Sequence, residues 1–257
     1  MINSVRSVLA PNPGPMTLTG TNTWLVDTGN GVTVIDPGPD DDRHLTAILA
    51  AAPAVTTIVV THRHHDHTDL APRLAASTGA TVRAADPVHC HRGGAPLRDG
   101  DEPAPGLRVL STPGHTDDSI CLHHPASASL FTGDTVLGTG SSVIAYGEGN
   151  VGDSLASLHR LAVFAADHDI SVLRPGHGPE VGDPVVRLRH DLAHRRERLA
   201  QVQQALDGGA SGVVAVTDLV HGGLDARLLG PARSSIAAHL ARLGALDPDD
   251  PWITGTP

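Results

Sequence analysis

Lysine is absent from this chain: all 18 basic residues among 257 are arginine. No mechanism follows from that uniformity. Aromatics amount to 2% of residues, so a core must rest on Ala, Val, Leu and Ile. Two cysteines, Cys90 and Cys121, are too few for a disulfide framework or a thiolate metal site. They read as free thiols in a reducing compartment. No apolar run approaches the ~18 residues of a membrane helix, and no charged-then-apolar leader opens the chain. The expectation is a cytoplasmic protein with no membrane partner; the oligomeric state is not legible.

The formal charge of -10 is unevenly placed. Residues 185–257 hold eight Arg and eight Asp plus Glu, so the whole deficit falls on residues 1–184. A net-acidic half does not favour a polyanionic substrate unless local patches compensate. The length allows one large domain or a large one plus a small one.

Histidine is what the chain has in excess, with 17. The stretch Thr61-His62-Arg63-His64-His65-Asp66-His67-Thr68-Asp69-Leu70 packs His62, His64, Asp66 and His67 into six positions. It directly follows Thr57-Ile58-Val59-Val60, a short β-branched run with no helical period, read as a buried strand. Residues at the C-terminal end of a parallel strand point into the crevice where open α/β sheets bind ligands. Imidazole nitrogens with a carboxylate oxygen suit zinc, and also iron or manganese. His65 breaks the spacing and is left out of the candidate set.

Along the chain, residues 21–26 and 32–35 read as strands joined through Asp27-Thr28-Gly29-Asn30-Gly31, and Asp36-Pro37-Gly38-Pro39 as a turn. Residues 42–52 carry Leu45, Ile48 and Leu49 at helical spacing, ending before Pro53. A helix through Ser77 is expected with Asp69 as its N-cap, then a strand at 80–84. Residues 86–106 read as a loop, with 107–110, 120–122, 129–131 and 171–173 as strands and 153–167 as an amphipathic helix. Strand–helix–strand order argues for an α/β layer fold. Loops 86–106 and 138–150, with Arg92, Arg98, Tyr146 and Glu148, are expected at the mouth of the site.

One event recurs. A short apolar strand ends in a turn bearing a metal-type residue, at His62–His67, at His115, at Asp134 and at His177. In this order the set resembles the metallo-β-lactamase fold superfamily, with its His-x-His-x-Asp-His run followed by a His, an Asp and a last His. All seven positions match, and the resemblance spans roughly residues 15–180. It implies an αββα sandwich with the site at one edge of two sheets. It further implies that His62, His64 and His115 hold one ion, Asp66, His67 and His177 a second, and that Asp134 bridges them. Two Zn2+ are expected, with Mn2+ or Fe2+ also suited. Asn12-Pro13-Gly14-Pro15, Thr19-Gly20-Thr21-Asn22-Thr23 and Tyr146-Gly147-Glu148-Gly149, together with the C-terminal segment, look like the β-lactamase-like protein 2 family. That family includes endoribonucleases of single-stranded RNA.

Composition shifts after Gly182-Asp183-Pro184, which sets an expected catalytic domain over 1–184 and a second domain over 185–257. Leu188, Leu192, Leu199, Val202 and Leu206 share a helical face that ends at Gly208-Gly209. Further helices near 217–220 and over 232–243, with a turn-rich 245–253, suggest a winged-helix-like module. Arg187, Arg189, Arg195, Arg196 and Arg198 form a modest basic stripe, but the module is neutral and has one aromatic, Trp252. Single-strand binding usually relies on stacking platforms, so packing and cleft shaping are favoured over reading nucleic acid.

The resemblance implies a hydrolase acting through a hydroxide shared by two ions, with Asp66 orienting the nucleophile and Asp134 holding the pair together. Thr61, Asp69 and Asp118 are placed to fix the imidazole tautomers. Cleavage of single-stranded RNA is the first expectation, and hydrolysis of a thioester, ester or lactam of a small acyl substrate the alternative. A mononuclear iron enzyme acting on sulfur is disfavoured by the full second set of ligand types. A non-catalytic nucleic-acid binder has no use for seven such residues.

Overall fold

The computed structural model describes residues 4–255. Its strands form two sheets. The first has five strands in the order of the chain: β1 (Val5–Leu9), β2 (Asn22–Asp27), β3 (Val32–Ile35), β4 (Val55–Val59) and β5 (Thr81–Arg83). The second has four, β6 (Arg108–Ser111), β7 (Ile120–His124), β8 (Ser129–Gly133) and β9 (Val172–Pro175). Each sheet starts with antiparallel pairs and finishes with parallel ones. The parallel crossovers carry the helices α1 (Asp42–Ala51), α2 (His65–Thr68), α3 (Ala71–Thr78) and α4 (Val151–Asp167).

Period-two alternation sorts the strand side chains into layers. Trp24, Val26, Ile35 and Val59 of the first sheet meet Leu107, Val109, Ile120, Leu122 and Phe131 on the second sheet's side of the interior. Trp24 and Phe131 meet edge to face with centroids 5.9 Å apart, a geometry that adds ~0.5–1.5 kcal/mol beyond area burial. The alternate residues face outward. Leu25, Val34, Ile58 and Val82 pack under α1 and α3 through Ile48, Leu70 and Leu74. Leu110, Cys121, Leu130 and Leu173 pack under α4 through Leu158 and Leu161. The layers are therefore helix, sheet, sheet, helix, as expected from the sequence.

Several local expectations are corrected. Edge strand β1 has no counterpart in the sequence reading, because its alternation is only half-buried. Asp69 does not cap α3: it closes α2, its N–H bonding the His65 carbonyl at 3.0 Å, and Leu70 precedes α3. Within 86–106, Leu97 and Ala104 are buried in the inter-sheet core, so much of that loop is packing material.

The C-terminal segment forms α5 (Pro184–Asp207), α6 (Val213–Val220), α7 (Leu229–Arg242) and α8 (Pro251–Thr254). The first half of α5 lays Leu188 and Leu192 on the second sheet's helical layer. Its second half joins Val202 to Val213, Val216, Ile236 and Leu240 in a separate small core. No strand follows β9 among the described residues, so the expected wing over 245–253 is absent and the module is helical. The reason is Asp250. Its carboxylate accepts from the Trp252 N–H and the Val213 N–H, both at 2.8 Å, and Pro251 stands in the first turn, so this stretch starts a helix. No helix among the described residues is long and apolar enough to cross a membrane.

Candidate metal centre

All seven sequence-predicted residues converge at one edge of the two sheets. The turn after β4 supplies His62, His64, Asp66 and His67; the turns after β6, β8 and β9 supply His115, Asp134 and His177. Backbone bonds clamp the sheets together there: Ile120 N–H donates to the Thr61 carbonyl at 2.9 Å, and Asn22 N–H to the Gly176 carbonyl at 2.7 Å. Gly176 must lack a side chain. A Cβ there would lie 2.5 Å from Asp134 Oδ1 and 2.7 Å from His67 Cε1.

Three donor groups emerge within 4.8 Å: His62 with His64 and His115, Asp66 with His67 and His177, and His62 with His67 and Asp134. In the first, His64 Nδ1 lies 3.1 Å from His62 Nε2 and 3.0 Å from His115 Nε2. In the second, His177 Nε2 lies 3.1 Å from Asp66 Oδ2 and 3.3 Å from His67 Nε2. Asp134 sits between the groups, Oδ2 3.3 Å from His177 Nε2 and 3.8 Å from His115 Nε2. His65 is exposed and pairs with Asp69, apart from the cluster, which removes Asp69 from the tautomer-fixing candidates. Asp118 accepts from Thr116 instead.

Apart from Thr61, the outer nitrogens are held by groups that the sequence reading did not assign to that role. Asp36 is fully buried; its Oδ2 lies 2.9 Å from His67 Nδ1 and accepts from the Thr61 hydroxyl at 2.7 Å, while Oδ1 accepts from the Thr61 N–H at 2.7 Å. Thr61 in turn reaches His62 Nδ1 at 3.1 Å, as its position suggested. His115 Nδ1 faces the Val143 carbonyl at 2.7 Å and the Ser142 hydroxyl at 2.9 Å, and His177 Nδ1 the Gly20 carbonyl at 3.2 Å. Glu148 Oε2 lies 3.3 Å from His64 Nε2. The Thr21 hydroxyl donates to Asp66 Oδ2 at 3.1 Å and accepts from Asn12 at 3.0 Å, which gives the Asn12 and Thr21 stretches a shared purpose. Such partners fix tautomer and ring orientation.

The electrostatics favour cations. Burial pushes the Asp66 and Asp134 carboxyls up, but the neighbouring imidazoles outweigh it, leaving Asp66 well below the usual range and Asp134 at about 2. Burial pushes His67 and His177 down, yet the carboxylates (Asp36 and Asp134 foremost for His67, Asp134 and Asp66 for His177) carry them to about 8 and about 10. Burial takes His115 down to about 4 and His62 well below its ordinary value, which keeps both neutral and able to donate a lone pair. Asp134 Oδ1 is buried with no hydrogen-bond partner among the described residues. A nitrogen-and-carboxylate set with an orphaned buried oxygen between its halves fits divalent metal ions.

Residues 16–185 match the metallo-beta-lactamase superfamily. The chain is 31% identical over 211 residues to the lactamase-like protein adaB of Aspergillus niger, covering 79% of this chain and 64% of that one. It thus spans less than two thirds of that relative's length. It is 30% identical over 269 residues to the atrochrysone carboxyl ACP thioesterase dmxR1 of Cryptosporiopsis sp., covering 93% and 80%. A beta-lactamase-like protein 2 homolog of Drosophila melanogaster is 30% identical over 231 residues, covering 79% and 74%. The metallo-beta-lactamase family protein TTHA1429 of Thermus thermophilus superposes with a TM-score of 0.77 at 23% identity, covering 94% of each chain. Fold, site and sequence agree, and the chain belongs to the metallo-β-lactamase superfamily.

Proposed function

We propose that this protein is a metal-dependent hydrolase of acyl thioesters or esters with a largely apolar acyl part. One observation carries the reading: a cavity of about 330 Å³ has His115 and Asp134 in its wall together with Met16, Leu18, Leu137 and Leu224. Small-molecule sites are typically concave, mostly apolar and equipped with a few placed polar groups. The relative named as an ACP thioesterase, aligned over 93% of this chain, adds support.

Single-stranded RNA, the first expectation from sequence, has less behind it. The arginine stripe on α5 is largely turned into the fold. Arg187 pairs with Asp191 at 2.8 Å and donates to the Leu137 and Gly140 carbonyls, Arg195 donates to the Ser142 carbonyl, and Arg198 donates to the Val220 carbonyl. Only Arg189 and Arg196 of the five are exposed. Residues 185–257 act in this reading as a cover that shapes the cleft. Of the loops expected at its mouth, 139–143 lines the cavity, whereas 86–106 does not.

His62, His64 and His115 would hold one divalent ion and Asp66, His67 and His177 another, with Asp134 shared; zinc suits this set, as do manganese and iron. Ions bound there supply acidified water and polarisation of the substrate carbonyl. In the reaction the water oxygen adds to the carbonyl carbon and the C–S or C–O bond breaks. A proton from the water leaves with the thiol or alcohol, and the acid is released. Asp66, steadied by Thr21, orients the water; Asp36 and Thr61 keep His67 and His62 from rotating.

The test is turnover by zinc- or manganese-loaded protein on acyl N-acetylcysteamine thioesters, with an end-labelled single-stranded RNA in parallel and Asp134→Ala as control. Thioester hydrolysis absent in the variant is expected. Internal RNA cuts lost in the variant, with thioesters untouched, would replace this reading by the nuclease one.

A further inference from the structure

The cavity has a second chemical character on its helical side. Arg195, Arg198, His194, His221 and His239, from α5, α7 and the segment after α6, all line it, and among the described residues Asp134 is the only acidic one in its wall. Arg195 is 7% exposed and makes no ion pair among the described residues; its bond to the Ser142 carbonyl leaves most of the guanidinium's donors over. The nearby Asp191 is already engaged by Arg187 and His190. An unpaired buried guanidinium is costly. His239 is fully buried, with Nδ1 on the Ser235 carbonyl at 2.7 Å and Nε2 lacking any partner among the described residues.

We propose that this helical wall is an anion-recognition subsite, and that the acyl group cleaved at the metal edge carries an ionised carboxylate seated by Arg195 and Arg198. The inference rests on the hydrolase reading above. A carboxylate offers acceptors to both guanidinium groups at once. The surroundings agree: burial, then the neighbouring arginines, lowers His239 to about 4, and burial lowers Arg195 to about 10. Both groups sit in a positive field that an anion relieves. The apolar residues of the same cavity, Leu137 and Leu224 among them, suit the methylenes of an ω-carboxyacyl chain.

The experiment compares metal-loaded wild type, Arg198→Gln and Arg195→Lys on succinyl, glutaryl and adipyl N-acetylcysteamine thioesters against their butyryl, pentanoyl and hexanoyl counterparts. Calorimetric titration of glutarate against pentanoate runs on the same samples. At least one acid-ended substrate is expected to exceed its methyl-ended partner in kcat/KM by about tenfold or more, with Arg198→Gln erasing most of that ratio. A purely structural arginine would lower both substrates alike and leave the ratio standing. Methyl-ended substrates hydrolysed equally well or better would overturn the subsite while leaving the hydrolase reading intact. No thioester turnover, with glutarate still bound more tightly than pentanoate in an Arg198-dependent way, would overturn the hydrolase reading and keep the subsite.

Discussion

The metal edge and the helical wall of the same cavity are built on opposite terms. At the edge, these imidazoles have their outer nitrogens held, His67 by Asp36, His62 by Thr61, His115 by Val143 and Ser142, His177 by Gly20. Geometry there is set before any ligand arrives. On the wall, Arg195 lacks an ion pair and His239 Nε2 lacks a partner among the described residues. On the proposed reading, reactivity resides in the strand ends of the sandwich and selectivity in the helices added to it.

The largest expected effect tests the edge. Asp134→Ala removes the one carboxylate between the two ligand groups, and hydrolysis should fall by more than the ~10–100-fold typical of losing an outer partner. Turnover at saturating metal, with unchanged circular dichroism, checks it. Asp36→Asn should weaken metal affinity by about 10–100-fold while the fold persists, read by competition with a chelator. An unchanged affinity would mean that the buried Asp36 network does not orient His67.

Ala232→Phe fills the wall without touching the edge. Metal content should stay the same while kcat/KM for the longest acyl chains falls by about tenfold or more relative to acetyl. A uniform loss over all chain lengths would blur the comparison between the two regions.

The smallest effect is a pH dependence. Buried His239 is held near 4 in the folded protein, against 6.5 ordinarily. The unfolded chain therefore takes up a proton first as pH falls, and stability contributed by the neutral imidazole is lost between 6.5 and about 4, with no effect above that window. His239→Leu should flatten the slope of stability on pH there by at most about 1.4 kcal/mol per unit, measured by urea midpoints at matched metal loading.

Much of the edge was legible in the sequence because its residues sit at strand ends in a tight spacing. His62 to His67 follow an unmistakable apolar strand, and three later strands each end in one such residue. Asp36 was not, since Asp36-Pro37-Gly38 has the composition of an ordinary turn. Only the parallel pairing of β3 with β4 brings it under Thr61 and His67. The wing failed for a local reason, Asp250 capping two helix starts. The arginine stripe was visible, but its inward direction was not, because helical spacing does not say which face meets the sandwich. Cys121 is a free, buried thiol, pushed up to about 11 by burial.

The central claim is that the seven converging residues form a two-ion hydrolytic centre. Its most direct test measures metal per chain by mass spectrometry and thioester turnover on the same samples, stripped with chelator and then reloaded stepwise. Two ions per chain, with hydrolysis absent in the stripped protein and rising with loading, is the predicted result. Saturation at one ion or none, or hydrolysis that survives stripping, would contradict it.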